Sequence, residues 1–131
     1  MGSFSDYWEN KIMDHIFGKE NYTSPAIYVG LSTADPLDNG SGIAEPVGSG
    51  YARVATSVGD WNSASDGTIG NADIITFPEA LDDWGTITHF ALFDAATAGN
   101  MLAHDELKQS KPINVGDIAK FDVGDLKITL E

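Results

Sequence analysis

The chain has 131 residues, of which 42% are hydrophobic, with no cysteine and a formal net charge of −13. This size and composition predict one domain with its own core, and the lack of cysteine excludes disulfides and thiolate metal sites. Because 20 acidic residues outnumber 7 basic ones, the surface disfavours nucleic acid. The sequence has no apolar run of about 18 residues, so we expect no membrane partner.

The first predicted element is an N-terminal helix over about residues 4–17. Its apolar side chains recur at every fourth position, the spacing that aligns them on one helix face: Phe4, Trp8, Ile12 and Ile16. Ser3 or Asp6 is suited to cap its start, and Gly18 to end it. We expect the face with Trp8, Ile12 and Ile16 to be buried, against the protein's own sheet or against a neighbouring subunit.

The chain from about residue 26 to residue 131 has the pattern of a β region. Six segments alternate apolar and polar residues or are rich in strand-forming types: 26–33, 50–58, 72–78, 85–94, 100–107 and 119–130. Connectors rich in Gly, Pro, Asn and Asp separate them. The sequence therefore predicts a mainly β protein, an antiparallel β-sandwich or jelly roll with one N-terminal α-helix, as a single domain over 1–131.

The predicted hairpin at 88–107 carries His89 and His104, which would face each other in a suitable register. Two imidazoles begin a zinc site, but no third protein ligand stands at a matching spacing. His15, on the helix, also lacks a histidine four residues away. We therefore expect structural histidines, no metal or cofactor, and no enzymatic activity.

Two groups of oxygen-bearing side chains have a partial likeness to known sites. Asp35, Asp38 and Asn39 resemble part of a calcium loop, but the closing glutamate of that pattern is missing, and an Asx-rich surface turn is the preferred interpretation. Asp82 and Asp83 are adjacent, so their carboxylates are expected to diverge, whereas a glycosidase needs two carboxyls across a cleft.

Three tryptophans leave two alternatives open. Trp8, Trp61 and Trp84 would together form a platform for stacking sugar rings, or would serve in the core and at protein interfaces, where tryptophan is more common. On the second interpretation, the candidate interface residues are Phe4, Trp8, Ile12, Ile16, Trp61 and Trp84.

A family resemblance covers nearly the whole chain. It is carried, in order, by "FSDYWENKIMDHIFG", "YVGLSTADP", "GSGYARVA", "WNSASDGTIGNADIITFPEA", "WGTITHFALFDAATAGNMLAH" and "FDVGDLKITL". This series resembles small tailed-bacteriophage virion proteins, often labelled tail fibre or minor structural proteins and similar in kind to capsid decoration, or cement, proteins. The resemblance implies a virion structural role without catalytic residues.

Two functions follow as expectations. The favoured one is a capsid decoration protein that binds and stabilises the assembled head shell. Its partners would be the major capsid protein or other virion proteins, and it would act as a homo-oligomer, preferably a trimer, after synthesis in the host cytoplasm. We favour it because the chain is short and has neither a fibrous repeat nor a coiled-coil stalk. The alternative is a tail or tail-fibre module that recognises a host-surface glycan.

Overall fold

The computed structural model describes residues 2–130. These residues form one α-helix, one short 3-10 turn and nine strands. In chain order the elements are β1 (Gly2–Phe4), α1 (Asp6–Ile16), β2 (Tyr28–Ser32), β3 (Val54–Ala55), the 3-10 turn (Val58–Asp60), β4 (Thr68–Gly70), β5 (Ile75–Glu79), β6 (Gly85–Phe93), β7 (Met101–Ile113), β8 (Ile118–Phe121) and β9 (Lys127–Thr129).

The strands form a curled seven-stranded sheet and a two-stranded sheet. The large sheet has the order β3-β2-β6-β7-β1-β9-β4, and β5 pairs with β8 in the small one. The β6–β7 hairpin lies at the centre of the large sheet. The mainly β class with one helix is confirmed. The departure from the predicted antiparallel arrangement is a parallel pair, β1 with β9.

The core explains why β6 is apolar without alternation. Phe90 and Leu92 belong to the main hydrophobic cluster, while Ala91 and Phe93 belong to a second cluster with Met101. Since successive side chains of a strand point to opposite faces, β6 is buried on both sides.

The small sheet packs on the large one through aromatic rings. The Phe121 ring of β8 lies 6.2 Å from Phe77 of β5 and 5.9 Å from Phe90 of β6, both edge-to-face. Such pairs add about 0.5–1.5 kcal/mol to the free energy of burial. These contacts join the two sheets in a sandwich-like arrangement.

The helix is shorter than the sequence predicts and has a different cap. Phe4 belongs to β1, and the N-cap is Ser5, rather than Ser3 or Asp6. The Ser5 hydroxyl accepts a hydrogen bond from the Trp8 N–H at 3.2 Å and donates one to the Met101 carbonyl at 2.5 Å. The cap therefore also fastens the helix to β7.

The helix face is less buried than its spacing predicts. Trp8 and Ile12 are half-buried, whereas Ile16 is 69% exposed. The prediction of a fully buried stripe is therefore wrong at its C-terminal end. The physical reason is that, among the strands, the helix packs mainly against β1 and β7, so that its last turn extends beyond them.

One short strand and one turn were not predicted from the sequence. β4 lies in a segment expected to be a connector, and its three residues are too few for alternation to be visible. The predicted strand at 119–130 is divided into β8 and β9 by a turn in which Gly124 has a φ of 82°. The buried Asn71 side chain holds this turn through Asp122 and Leu126.

Candidate functional site

The two hairpin histidines lie on one face of the sheet, and each lies near an aspartate. His104 Nε2 is 2.8 Å from Asp38 Oδ1, and His89 Nε2 is 4.0 Å from Asp35 Oδ1. The imidazoles are diagonal neighbours because Ala91, not His89, lies opposite His104. Nowhere in residues 2–130 do three potential ligands converge to hold a metal ion. The pairs instead connect the loop after β2 to the hairpin.

The loop with a partial calcium pattern is a pair of Asx turns. Asp35 Oδ1 accepts a hydrogen bond from the Leu37 N–H, and Asn39 Oδ1 accepts one from the Ser41 N–H, each at 3.0 Å. A side-chain oxygen that bonds to the backbone two residues later defines this turn. The predicted Asx-rich surface turn is confirmed.

The adjacent acids before Trp84 also serve the backbone. Asp82 Oδ1 accepts a hydrogen bond from the Asp83 N–H, and Asp83 Oδ1 accepts one from the Val115 N–H at 3.0 Å. The two carboxylates therefore stabilise separate backbone segments, as expected for neighbours that diverge.

The single arginine has a structural position that sequence reasoning missed. The Arg53 guanidinium pairs with the Glu45 carboxylate at 2.7 Å and donates to the Ala95 and Ala98 carbonyls at 2.8 and 2.9 Å. Its central carbon lies 3.5 Å from the Phe93 ring centroid, a cation–π contact. The side chain is 7% exposed. The only available signal in the sequence was that Arg53 is the one arginine of a strongly acidic chain.

Trp84 is not an interface residue. It is 4% exposed, donates its indole N–H to the Ser49 carbonyl at 2.9 Å, and meets the Tyr51 ring edge-on at 5.3 Å. This correction removes Trp84 from the candidate interface and from the three-tryptophan sugar platform. The local sequence does not reveal that Trp84 is buried, because two acids before a tryptophan are typical of a surface turn.

Three other candidates line one apolar depression, which we call the aromatic pocket. Phe4, Trp8 and Trp61 form part of its wall, and the first two rings lie 4.5 Å apart. The pocket has a volume of about 240 Å³. Its complete lining is Phe4, Trp8, Ile27, Trp61, Ala64, Gly67, Thr68, Ile69, Leu92, Ile128 and Leu130.

The helix presents a second apolar feature. Met13, Ile16 and Phe17 are 60%, 69% and 72% exposed and stand together at the C-terminal end of α1. We call these three side chains the apolar helix end. Clustered exposure of this kind marks interaction surfaces more often than single exposed apolar residues do.

Two polar atoms near the pocket are poorly satisfied. The Trp8 indole nitrogen and the Tyr22 hydroxyl are buried, and neither makes a well-formed hydrogen bond within the described chain. Burial raises the pKa of Tyr22 above its usual value, and proximity to the Trp8 N–H partly opposes this.

A larger cleft of about 640 Å³ opens between the two sheets. Its apolar side includes Leu31, Ile87, Phe90 and Phe121. Four of the six lysines of the chain also line it: Lys108, Lys111, Lys120 and Lys127. We call this cleft the lysine groove.

The fold and its surface features define a class of protein. The protein is a mainly β structural module with an aromatic pocket, an apolar helix end and a lysine groove on its surface. In the described residues, no helix is both long and apolar enough to cross a bilayer.

Comparison with known families gives the particular group. A family model described as podophage GP4 fiber I protein gp80 matches residues 3–129, almost the entire chain. The chain belongs to this family and is a phage virion structural protein. The resemblance to tailed-phage virion proteins is thereby confirmed. No curated protein matches the sequence.

Proposed function

We propose that this protein is a structural component of the phage tail fibre, and that its copies assemble through the aromatic pocket and the apolar helix end. The proposed location in the tail fibre rests on one observation. The chain belongs to a family whose description names a fibre protein. This favours the tail over the capsid surface, the location preferred from sequence alone.

The contact between copies follows from two complementary surfaces. The pocket is concave and apolar, and the helix end is an exposed group of large apolar side chains. One chain cannot join them, because Ile16 lies about 12 Å further along the helix axis than Trp8, which lines the pocket. The helix end of one copy therefore enters the pocket of the next.

A closed ring is the favoured assembly. Burying three apolar side chains contributes roughly 3–6 kcal/mol when part of their surface is already covered. Association costs about 4–15 kcal/mol in lost freedom, so one contact alone is weak. A head-to-tail contact that closes into a ring gains one more contact than an open chain of the same length. We propose a trimer, which closes with three such contacts, whereas a dimer in which two copies exchange helix ends closes with two.

The pocket suits a protein surface better than a sugar. Sugar recognition pairs an aromatic face with several hydrogen-bonding groups. Among the described residues that line the pocket, Thr68 supplies the only side-chain hydroxyl. The Trp61 indole N–H is already donated to Thr56 at 2.9 Å, and the Trp8 indole N–H is buried. The glycan alternative therefore has little support from this pocket.

Capsid decoration is the second candidate, and one observation favours it. The described chain is a small, strongly acidic domain without a stalk, a form suited to a shell protein that stabilises the assembled state by binding it at many sites. Particles that lack the protein separate the two functions. A tail-fibre component predicts normal DNA retention on heating and reduced adsorption to cells. Loss of heat resistance, restored by adding purified protein, with adsorption unchanged, would support decoration instead.

A further inference from the structure

We propose that a second small pocket, separate from the aromatic pocket, binds one neutral sugar ring. This polar pocket has a volume of about 260 Å³. Its exposed or half-buried rim includes Tyr7, Asp38, Asn39 and Asn100, and Arg53 lies deeper. Pockets for drug-sized ligands have about 300–1,000 Å³, so this one suits a molecule of about one ring.

The charged side chains of the polar pocket already have partners within the protein. The Arg53 guanidinium pairs with Glu45 at 2.7 Å, and its Nη1 donates to two backbone carbonyls. Asp38 Oδ1 lies 2.8 Å from His104 Nε2. An anionic ligand would therefore find no unpaired cation among the described residues of the lining, and would meet a protein with a net charge of −13. One carboxylate that already has a partner is also little for a cation, so a neutral ligand fits best.

The rim side chains are each held by one polar atom and present another. Asn39 Oδ1 accepts a hydrogen bond from the Ser41 N–H at 3.0 Å. Asn100 Nδ2 donates one to Asp94 at 2.9 Å. Within residues 2–130, hydrogen bonds engage neither Asn39 Nδ2 nor Asn100 Oδ1, nor the second oxygen of Asp38. Because the protein already fixes these side chains, a ligand loses little free energy in ordering them.

The available atoms form a mixed set of donors and acceptors. The Asn39 amide group donates, and the Asn100 and Asp38 oxygens accept. The Tyr7 hydroxyl, which has no hydrogen-bond partner in the described part of the chain, is able to do either. Sugar hydroxyls also donate and accept, so several hydroxyls of one ring match this set. The half-buried Tyr7 ring and Ile43 add apolar surface for the C–H groups of the sugar.

The polar pocket is independent of the proposed contact between copies and of the location in the particle, so purified protein suffices for the test. The neutral probes are the methyl glycosides of glucose, galactose, mannose and N-acetylglucosamine. Glucuronate and glucosamine are the anionic and cationic probes of similar size. Each is titrated into the isotopically labelled protein and followed by NMR. We expect at least one neutral probe to bind with a Kd on the order of 1 mM, as so small a ligand allows, and to shift the amide signals of Asn39 and Asn100.

Matched variants connect the binding to the rim. Asn39→Asp keeps the oxygen that accepts from Ser41 but replaces the amide donor, and should weaken binding at least about tenfold. The control Asn62→Asp makes the same exchange at an exposed position outside the pocket and should bind as the wild type does. Tyr7→Phe removes only the hydroxyl and should weaken binding roughly fivefold. Since this variant breaks no hydrogen bond among residues 2–130, it remains a valid test if Asn39→Asp disturbs the loop.

Several outcomes would overturn the proposal. One is that no neutral probe binds at about 100 mM, roughly a hundred times the expected Kd. Others are signal changes away from the polar pocket, or a wild-type affinity in both Asn39→Asp and Tyr7→Phe. Tighter binding of glucuronate or glucosamine than of every neutral probe would show that the pocket takes a charged ligand instead.

Discussion

The contact between the apolar helix end and the aromatic pocket predicts a complementation between two monomeric variants. Ile16→Asp damages the helix end, and Ala64→Trp fills the pocket from its exposed rim. Each variant keeps the other half of the contact intact. A mixture should therefore form a heterodimer through one remaining contact only at high concentration, because one contact alone is weak, while each variant alone cannot associate.

The free energy that Ile16→Asp removes from each contact can be worked out from the exposure of Ile16. Ile16 is 69% exposed in the single chain, so its burial in a contact contributes about 1–2 kcal/mol. An aspartate in its place also has to lose hydration without a partner, which costs several kcal/mol. A loss of about 4 kcal/mol per contact weakens each by roughly a thousandfold.

Light scattering after gel filtration measures the result. The wild type should have about three times the 14.0 kDa mass of the chain. Each variant should have the mass of one chain, and the mixture a mass that rises from one chain towards two as the concentration is raised. The matched control is Leu81→Asp, because Leu81 is also 69% exposed but lies outside the pocket and the helix. A trimeric Ile16→Asp variant, or a wild type that stays monomeric at high concentration, would refute the reasoning.

Three further predictions concern stability. Asn71→Leu removes hydrogen bonds of 2.8, 3.0 and 2.9 Å at a fully buried position and should lower the free energy of unfolding by about 3–5 kcal/mol. Ser5→Ala removes the helix cap and should cost about 1–2 kcal/mol; both are measured by urea unfolding. Burial raises the pKa of Tyr51 in the folded state, so its contribution is complete below about pH 10 and is lost as the pH rises above that unfolded-state value. Tyr51→Phe should therefore show a shallower alkaline loss of stability, by at most about 1.4 kcal/mol per pH unit.

Controls for these variants come from the same chain. Asn62→Leu and Ser63→Ala change the same residue types at exposed positions and should stay within about 0.5 kcal/mol of the wild type. Costs equal to those of the buried positions would show that the effect is not due to the lost hydrogen bonds. For Tyr51, parallel stability curves of wild type and variant between about pH 9 and 11 would contradict the assigned cause.

Local patterns predict the parts of the fold that local physics determines. Apolar residues along 85–94 and 100–107, with turn residues between them, indicate the β6–β7 hairpin, because neighbouring strands joined by a short loop need no distant partner. The Asx turns at Asp35 and Asn39 were predicted for the same reason: each needs only the next two residues.

Pairings between distant segments could not be predicted. The parallel pair of β1 with β9 joins the two ends of the chain, and each strand has three residues. The sequence also did not predict which large apolar side chains would be buried. Trp84 lies in the core and Ile16 in solvent because of where β5, β7 and the loops pack, which a single sequence does not reveal.

The candidate surfaces could be predicted only in part from the sequence. Phe4, Trp8 and Trp61 were selected as interface candidates by residue type, and the structure brings them together in one pocket. Their role in an interface stays a prediction. The lysine groove could not be found from sequence, because Lys108 and Lys120 belong to strands of different sheets, β7 and β8, which come together only when the chain folds.

The location of the protein in an intact particle tests the central proposal most directly. A virion carrying a small tag in the exposed turn at Gly116, labelled with gold-conjugated antibody, is imaged by electron microscopy. A tail-fibre component predicts a few labels per particle, all at the tail. Labels distributed over the head in many copies would contradict the proposal and establish a capsid surface protein.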